Sequence, residues 1–113
     1  MSNATFFNGL LAVNPYSATV NPLNPNGTVI TNNIDSRIDK AAEAGNTIVA
    51  AHSVAVSSTQ DVAQWYAIDV SSGTPKLFQQ GRVSAGNNTY ITYPGIDINS
   101  SGSIGMSYMK SGT

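Results

Sequence analysis

The sequence predicts an all-β fold assembled from repeated antiparallel units, and three observations carry that reading. Short runs rich in β-branched and aromatic residues recur along the chain, each closed by Gly, Pro, Asn or Ser. Two pairs of stretches match when laid over one another: Arg37-Ile38-Asp39 through Ile48 with Gly95-Ile96-Asp97 through Ile104, and Leu23 through Val29 with Leu77 through Val83. Charged residues supply only 10% of the chain against 41% hydrophobic, which leaves material for a core and a surface built from amides and hydroxyls.

The elements follow in order. Leu10-Leu11-Ala12-Val13 is a short apolar run closed by Asn14-Pro15, and Thr28-Val29-Ile30 is a second; the prolines between them forbid a long helix. Residues Ser36-Arg37-Ile38-Asp39 fit a capping box, Lys40-Ala41-Ala42-Glu43-Ala44 has high helix propensity, and Gly45 stands where a cap belongs, so local rules read 38–44 as a short helix. The repeat reads it as a strand, because Pro94-Gly95 opens the matching copy. Both readings stay open on the sequence. Thr47–Val56 mixes β-branched and small residues, and Gln64–Val70 is the clearest strand, ending in the turn Ser71-Ser72-Gly73-Thr74-Pro75. Lys76–Ser84 follows, interrupted at Gly81, and Ile96–Tyr108 reads as a hairpin about Ser100-Ser101-Gly102.

A repeat of this length with four strand signals has the pattern of a β-propeller blade, for which roughly 40–50 residues is usual. The expected order is C-D-A-B-C-D-A-B, about two blades' worth. A half-blade spans 6–34, a full blade 36–84 (strands Ile38–Ala44, Thr47–Val56, Gln64–Val70 and Lys76–Ser84) and a second half-blade 90–109. Residues 1–4 have neither a positive region nor an apolar stretch and read as a vector-derived or disordered N-terminus ahead of a single domain over 5–113. Two blades cannot close a ring, so the expected partners are other copies in a homo-oligomer or the remaining blades of a parent chain.

Three stretches carry a resemblance: Ala63-Gln64-Trp65-Tyr66-Ala67-Ile68-Asp69, Gln79-Gln80-Gly81-Arg82-Val83, and Tyr93-Pro94-Gly95-Ile96-Asp97-Ile98-Asn99 through Ile104. Together they resemble the repeats of secreted bacterial β-propellers of the sialidase-like, Asp-box kind. Asn99-Ser100-Ser101-Gly102-Ser103-Ile104 keeps the glycine of that family's turn and lacks its aspartate and tryptophan. The resemblance implies an extracellular or cell-surface protein, either a non-catalytic module binding a glycan or a protein, or part of a larger secreted propeller enzyme whose catalytic residues lie outside this chain.

The chemistry-bearing residues favour the module. A sialidase-type site needs three arginines, a tyrosine–glutamate pair and an acid, whereas this chain offers Arg37, Arg82 and Glu43, with Arg37 and Glu43 close enough in sequence to form a surface ion pair. The one histidine, His52, is expected on its strand with a ring nitrogen bonded to backbone or solvent, since no nucleophile elbow is present. No catalytic residue is assigned. Trp65 and Tyr66 alternate across one strand and, with Tyr90 and Tyr93, are the candidate ligand contacts through stacking on a sugar. Tyr108 shares that choice between core and surface, and Met106 and Met109 are expected to fill core gaps. Asp97, Asn99 and Ser101 alternate like the first half of a calcium loop. An ordinary polar turn competes with that reading, so no cofactor is expected beyond a weak Ca2+ site there. A net charge of −1 without a basic stripe argues against nucleic acid, and the absence of a long apolar run argues against membrane insertion.

Overall fold

The computed structural model describes residues 10–31 and 34–113. Within them no helix forms, and the strands are β1 (Lys40–Ala44), β2 (Thr47–Ser57), β3 (Gln60–Asp69), β4 (Lys76–Val83), β5 (Thr89–Ile98) and β6 (Ile104–Gly112). The fold is all-β, as expected. Strands β1 to β4 make an antiparallel meander in chain order. The β5–β6 hairpin joins the start of β3 through one parallel bridge, Asp61 with Tyr90, and folds over one face of the meander.

Residues 40–44 form a strand and not the helix that propensity favours. A five-residue helix is marginal alone because nucleation fixes several dihedrals for one hydrogen bond. As a strand, Ala42 pairs with Val49 and Ala44 with Thr47, and both alanines pack on the core. Gly45 opens the two-residue turn at φ 57°, a conformation that an alanine would strain.

Alternation divides the central hairpin into two chemically different faces. Val49, Ala51 and Ala67 point to the inner face, where Ile96 and Ile98 of β5 and Met106 of β6 close a core over them. Ile48, Ala50, His52, Gln64, Tyr66 and Ile68 point the other way, as their cross-strand pairing requires. Gly81 does not interrupt β4. It pairs with Trp65, and a Cβ there would lie 2.8 Å from the indole Nε1, so the glycine makes room for the tryptophan.

Residues 10–31 differ from the expectation of two strands at Leu10–Val13 and Thr28–Ile30. They form only isolated bridges, Ser17 with Ala55 and Leu23 with Val29; the part of the expected half-blade before Leu10, and residues 1–4, lie outside the described residues. Pro15, Pro22 and Pro25 remove three N–H donors from any ladder. The segment crosses the second face of the meander as a strap, and side chains hold it. Asn14 N donates to Gln80 Oε1 at 2.9 Å, Gln64 Nε2 donates to Asn14 O at 3.2 Å, and Arg82 Nη2 donates to Pro15 O at 3.1 Å.

Asp61 fastens the far end of the strap. Its Oδ1 accepts from Val20 N at 3.0 Å while Oδ2 is buried without a partner, and the residue is fully buried. Burial raises its pKa from 3.8 to about 6, against the opposing effect of the Val20 hydrogen bond. An acid whose pKa rises on folding is held protonated by the native state. Between pH 4 and pH 6 the native chain therefore binds more protons than the unfolded chain, and stability falls as pH rises.

Two outcomes follow. Gly81→Ala forces the Trp65 ring to move and lowers unfolding free energy by about 1–3 kcal/mol, read in urea melts with a shift in Trp65 emission. Wild-type stability drops by roughly 2–3 kcal/mol between pH 4 and pH 7, and Asp61→Asn flattens that step in the same melts.

Candidate functional site

A hydrogen-bonded chain of side chains crosses the meander beneath the strap. Arg82 Nε on β4 donates to Gln64 Oε1 on β3 at 2.7 Å, and Gln64 Nε2 donates to Tyr66 Oη at 2.6 Å. Tyr66 Oη lies 2.7 Å from His52 Nε2 on β2, and His52 Nδ1 lies 2.6 Å from Ser36 O. A carbonyl only accepts, so Nδ1 carries the ring proton. In the neutral ring Nε2 is then an acceptor, and the Tyr66 hydroxyl donates to it. Tyr16 of the strap meets the His52 ring edge-on, with centroids 4.6 Å apart. Burial raises the Tyr66 pKa, and the donated Gln64 hydrogen bond opposes that shift.

The arrangement is a structural clasp. Both His52 nitrogens have partners, and the neighbouring Ser53 projects to the opposite face, where its Oγ donates to Ile91 O at 2.8 Å. His52 and Ser53 therefore do not form a nucleophile–base pair. The expectation of one backbone partner for His52 holds through Ser36; the Tyr66 contact was not foreseen. Its signal lay in three polar residues, His52, Gln64 and Arg82, falling on one strand face.

The sequence-predicted ligand contacts do not converge. Tyr66 and Tyr90 are buried, at 3% and 2% exposure, and Trp65 is half-buried on the face opposite Tyr66. Tyr93 differs, being 55% exposed with φ 49°. That left-handed backbone, uncommon outside glycine and asparagine, falls where the β5–β6 register shifts between Thr92 and Gly95 and where Pro94 has no N–H to give a ladder. The bulge turns Tyr93 outward.

Tyr93 and Pro94 line a cleft of about 130 Å3 together with Asp35, Arg37, Asp39 and the β2 residues His52 and Ser53. The cleft exists because β1 stops short. Lys40 pairs with Ala51, and beyond that point the edge of β2 meets the irregular segment 34–39. Arg37 pairs with Asp35, not with Glu43 as expected, its Nε donating to Asp35 Oδ2 at 2.8 Å. In the extended chain Asp35 is two residues away, whereas Glu43 lies along β1. The Arg37 hydrogen bonds hold the Asp35 carboxyl below its usual range. Carboxylates and a guanidinium offer hydrogen-bond acceptors and donors around this small cleft, and the phenol ring offers an apolar face.

Asp97, Asn99 and Ser101 serve the β5–β6 turn. Asn99 Oδ1 accepts from Ser101 N, Ser101 Oγ and Ser103 N at 3.0, 2.8 and 2.9 Å, and Asp97 Oδ1 accepts from Ile98 N at 2.7 Å. This is the polar hairpin turn that competed with the calcium reading. Met106 packs on the core as expected, but Met109 is 62% exposed, because it alternates to the side of β6 opposite Met106's partner. Tyr108 is also exposed. Comparisons of the chain with protein-family models, curated proteins and solved structures found no match.

Proposed function

We propose that the chain is a non-catalytic, extracellular glycan-binding module of the β-propeller type. In this reading β1–β4 is one blade, β5–β6 begins the next, and further blades come from other copies or from a longer chain. The observation that carries the binding part is the cleft lined by exposed Tyr93, at φ 49°, together with Asp35, Arg37 and Asp39. A strained residue held at a surface cleft is the arrangement found where geometry serves binding. The stacking of β5–β6 on the meander supports the blade reading, since each unit buries a face on its neighbour. A chain with only 10% charged residues suits an exported protein that recognises neutral hydroxyls.

The test is a glycan array followed by titration of any captured oligosaccharide. Wild-type chain binds without cleaving its ligand, and Tyr93→Ala weakens binding at least about tenfold while leaving the circular dichroism unchanged. A silent array, or a Tyr93→Ala variant that binds as wild type, overturns the glycan reading. Release of product from a bound glycan overturns the non-catalytic one.

A further inference from the structure

The strap is bonded to the segment that lines the Tyr93 cleft, and a buried carboxyl stands behind that tie. Asp61 lies where three elements meet. On β2 it pairs with Ala55, whose N donates to Ser17 O of the strap at 3.0 Å; on β5 it bridges Tyr90; and its Oδ1 accepts from Val20 N of the strap at 3.0 Å. The carboxyl is fully buried, and Oδ2 has no hydrogen-bond partner. Protonated, it leaves one polar atom unmet. Ionised, it leaves a charge out of water with one donor, which costs far more.

Thr19, next along the strap, carries the effect to the cleft. Its N donates to Ser36 Oγ at 3.0 Å and its Oγ1 donates to Ile34 O at 3.3 Å. Those bonds flank Asp35, and Ile34, Asp35, Arg37 and Asp39 all line the cleft. The strap is held separately at Asn14 and Pro15 by Gln80, Gln64 and Arg82, so Thr19 and Val20 can part from their partners without releasing that end. Around Asp61, β2 and β3 are fixed by a long ladder, whereas the strap is held by isolated contacts. The strap is the element that gives when the carboxyl takes up water.

Among the described residues no cation pairs with this carboxyl. The titratable groups of the elements about it are His52 on β2, bonded to Tyr66 and Ser36 O; Tyr90 at the bridge, with Tyr93 and Asp97 further along β5; Tyr16 on the strap, edge-on to His52; and Tyr66 and Asp69 on β3 itself. Burial, with only the Val20 bond opposing it, therefore decides its protonation.

We propose that Asp61 is an acid-closed latch on the cleft: protonated, it holds Val20 and, through Thr19, the segment 34–39; ionised, it draws in water and lets strap and cleft wall loosen together. Its bearing on ligand rests on the glycan reading above, in which ligand and proton favour the same closed state.

Amide hydrogen exchange of the whole chain, followed by NMR and corrected for intrinsic rates, gives the opening constants of Thr19 and Val20. With the closed-state pKa at about 6 against an ordinary 3.8, both rise together about 100-fold between pH 4 and pH 6 and are level above that. Low urea leaves the rise unchanged, the mark of local opening. Asp61→Asn abolishes it. Wild type alone tests the assignment as well, since the Asp61 carboxyl carbon titrates where the opening constants level off. Constants that ignore pH, a Val20 that opens while Thr19 stays protected, a rise that depends on urea, a carboxyl that titrates elsewhere, or an Asp61→Asn chain with the rise intact overturns the latch. None of these readings uses a ligand, so they stand apart from the glycan array. A captured oligosaccharide slows Thr19 exchange. Binding through Tyr93 that leaves Thr19 exchange unchanged sinks the coupling to the cleft alone, and a working latch with a silent array sinks the glycan reading alone.

Discussion

The central β2–β3 hairpin is buried on both faces, and the rest of the molecule answers that constraint. Strands buried on one side only can alternate apolar and polar residues and leave the polar set to water. Here the residues of both faces are enclosed, Val49 and Ala67 on one side and Gln64 and Tyr66 on the other. The inner face is apolar and needs only a second apolar layer, which β5–β6 provides through two isoleucines and a methionine. The strap face carries a histidine, a glutamine and a tyrosine, and each buried polar atom there needs a partner. The strap supplies Asn14 O to Gln64, the segment 34–39 supplies Ser36 O to His52, and Tyr66 is satisfied by His52 and Gln64 themselves.

That division explains why the strap is not a strand. A strand added in this layer would bond to its own neighbours and leave Gln64 and Arg82 unsatisfied. An irregular segment presents carbonyls to side chains, and Asn14 O and Pro15 O accept from Gln64 and Arg82. Asp61 is the weak point of the scheme. Its Oδ1 holds Val20 and its Oδ2 has no partner, so the strap is fastened by a group that favours its protonated form.

The sequence showed the meander well, because β-branched runs and glycine-bearing turns are local signals. Residues 38–44 became legible only by comparison with the second copy, since Lys40–Ala44 has the composition of a helix and forms a strand through contacts with Val49 and Thr47. Leu10–Val13 misled in the opposite direction. Its apolar run looks like a strand, and nothing local reveals that the chain is held instead at Asn14 and Pro15, by polar side chains on β3 and β4. Gly81 and Tyr93 were hidden for a related reason. One is set by the ring of Trp65 across the ladder, the other by a bulge at Pro94, and neither contact is visible without the register. The cleft beside Tyr93 was illegible for the same cause, since it depends on β1 ending one pair short of His52.

The two halves of the strap face also differ in what can complete them. Over His52, Gln64 and Arg82 the requirement is for hydrogen-bond partners, and a backbone meets it at short range within one chain. Over Ile38 and Ile68 the requirement is for apolar area, and the strap meets it only in part, through the side chains of Leu11, Val13 and Tyr16. An apolar cover has to be another regular element whose hydrogen bonds are already made. The inner face shows what such an element looks like here, an antiparallel hairpin presenting one apolar side.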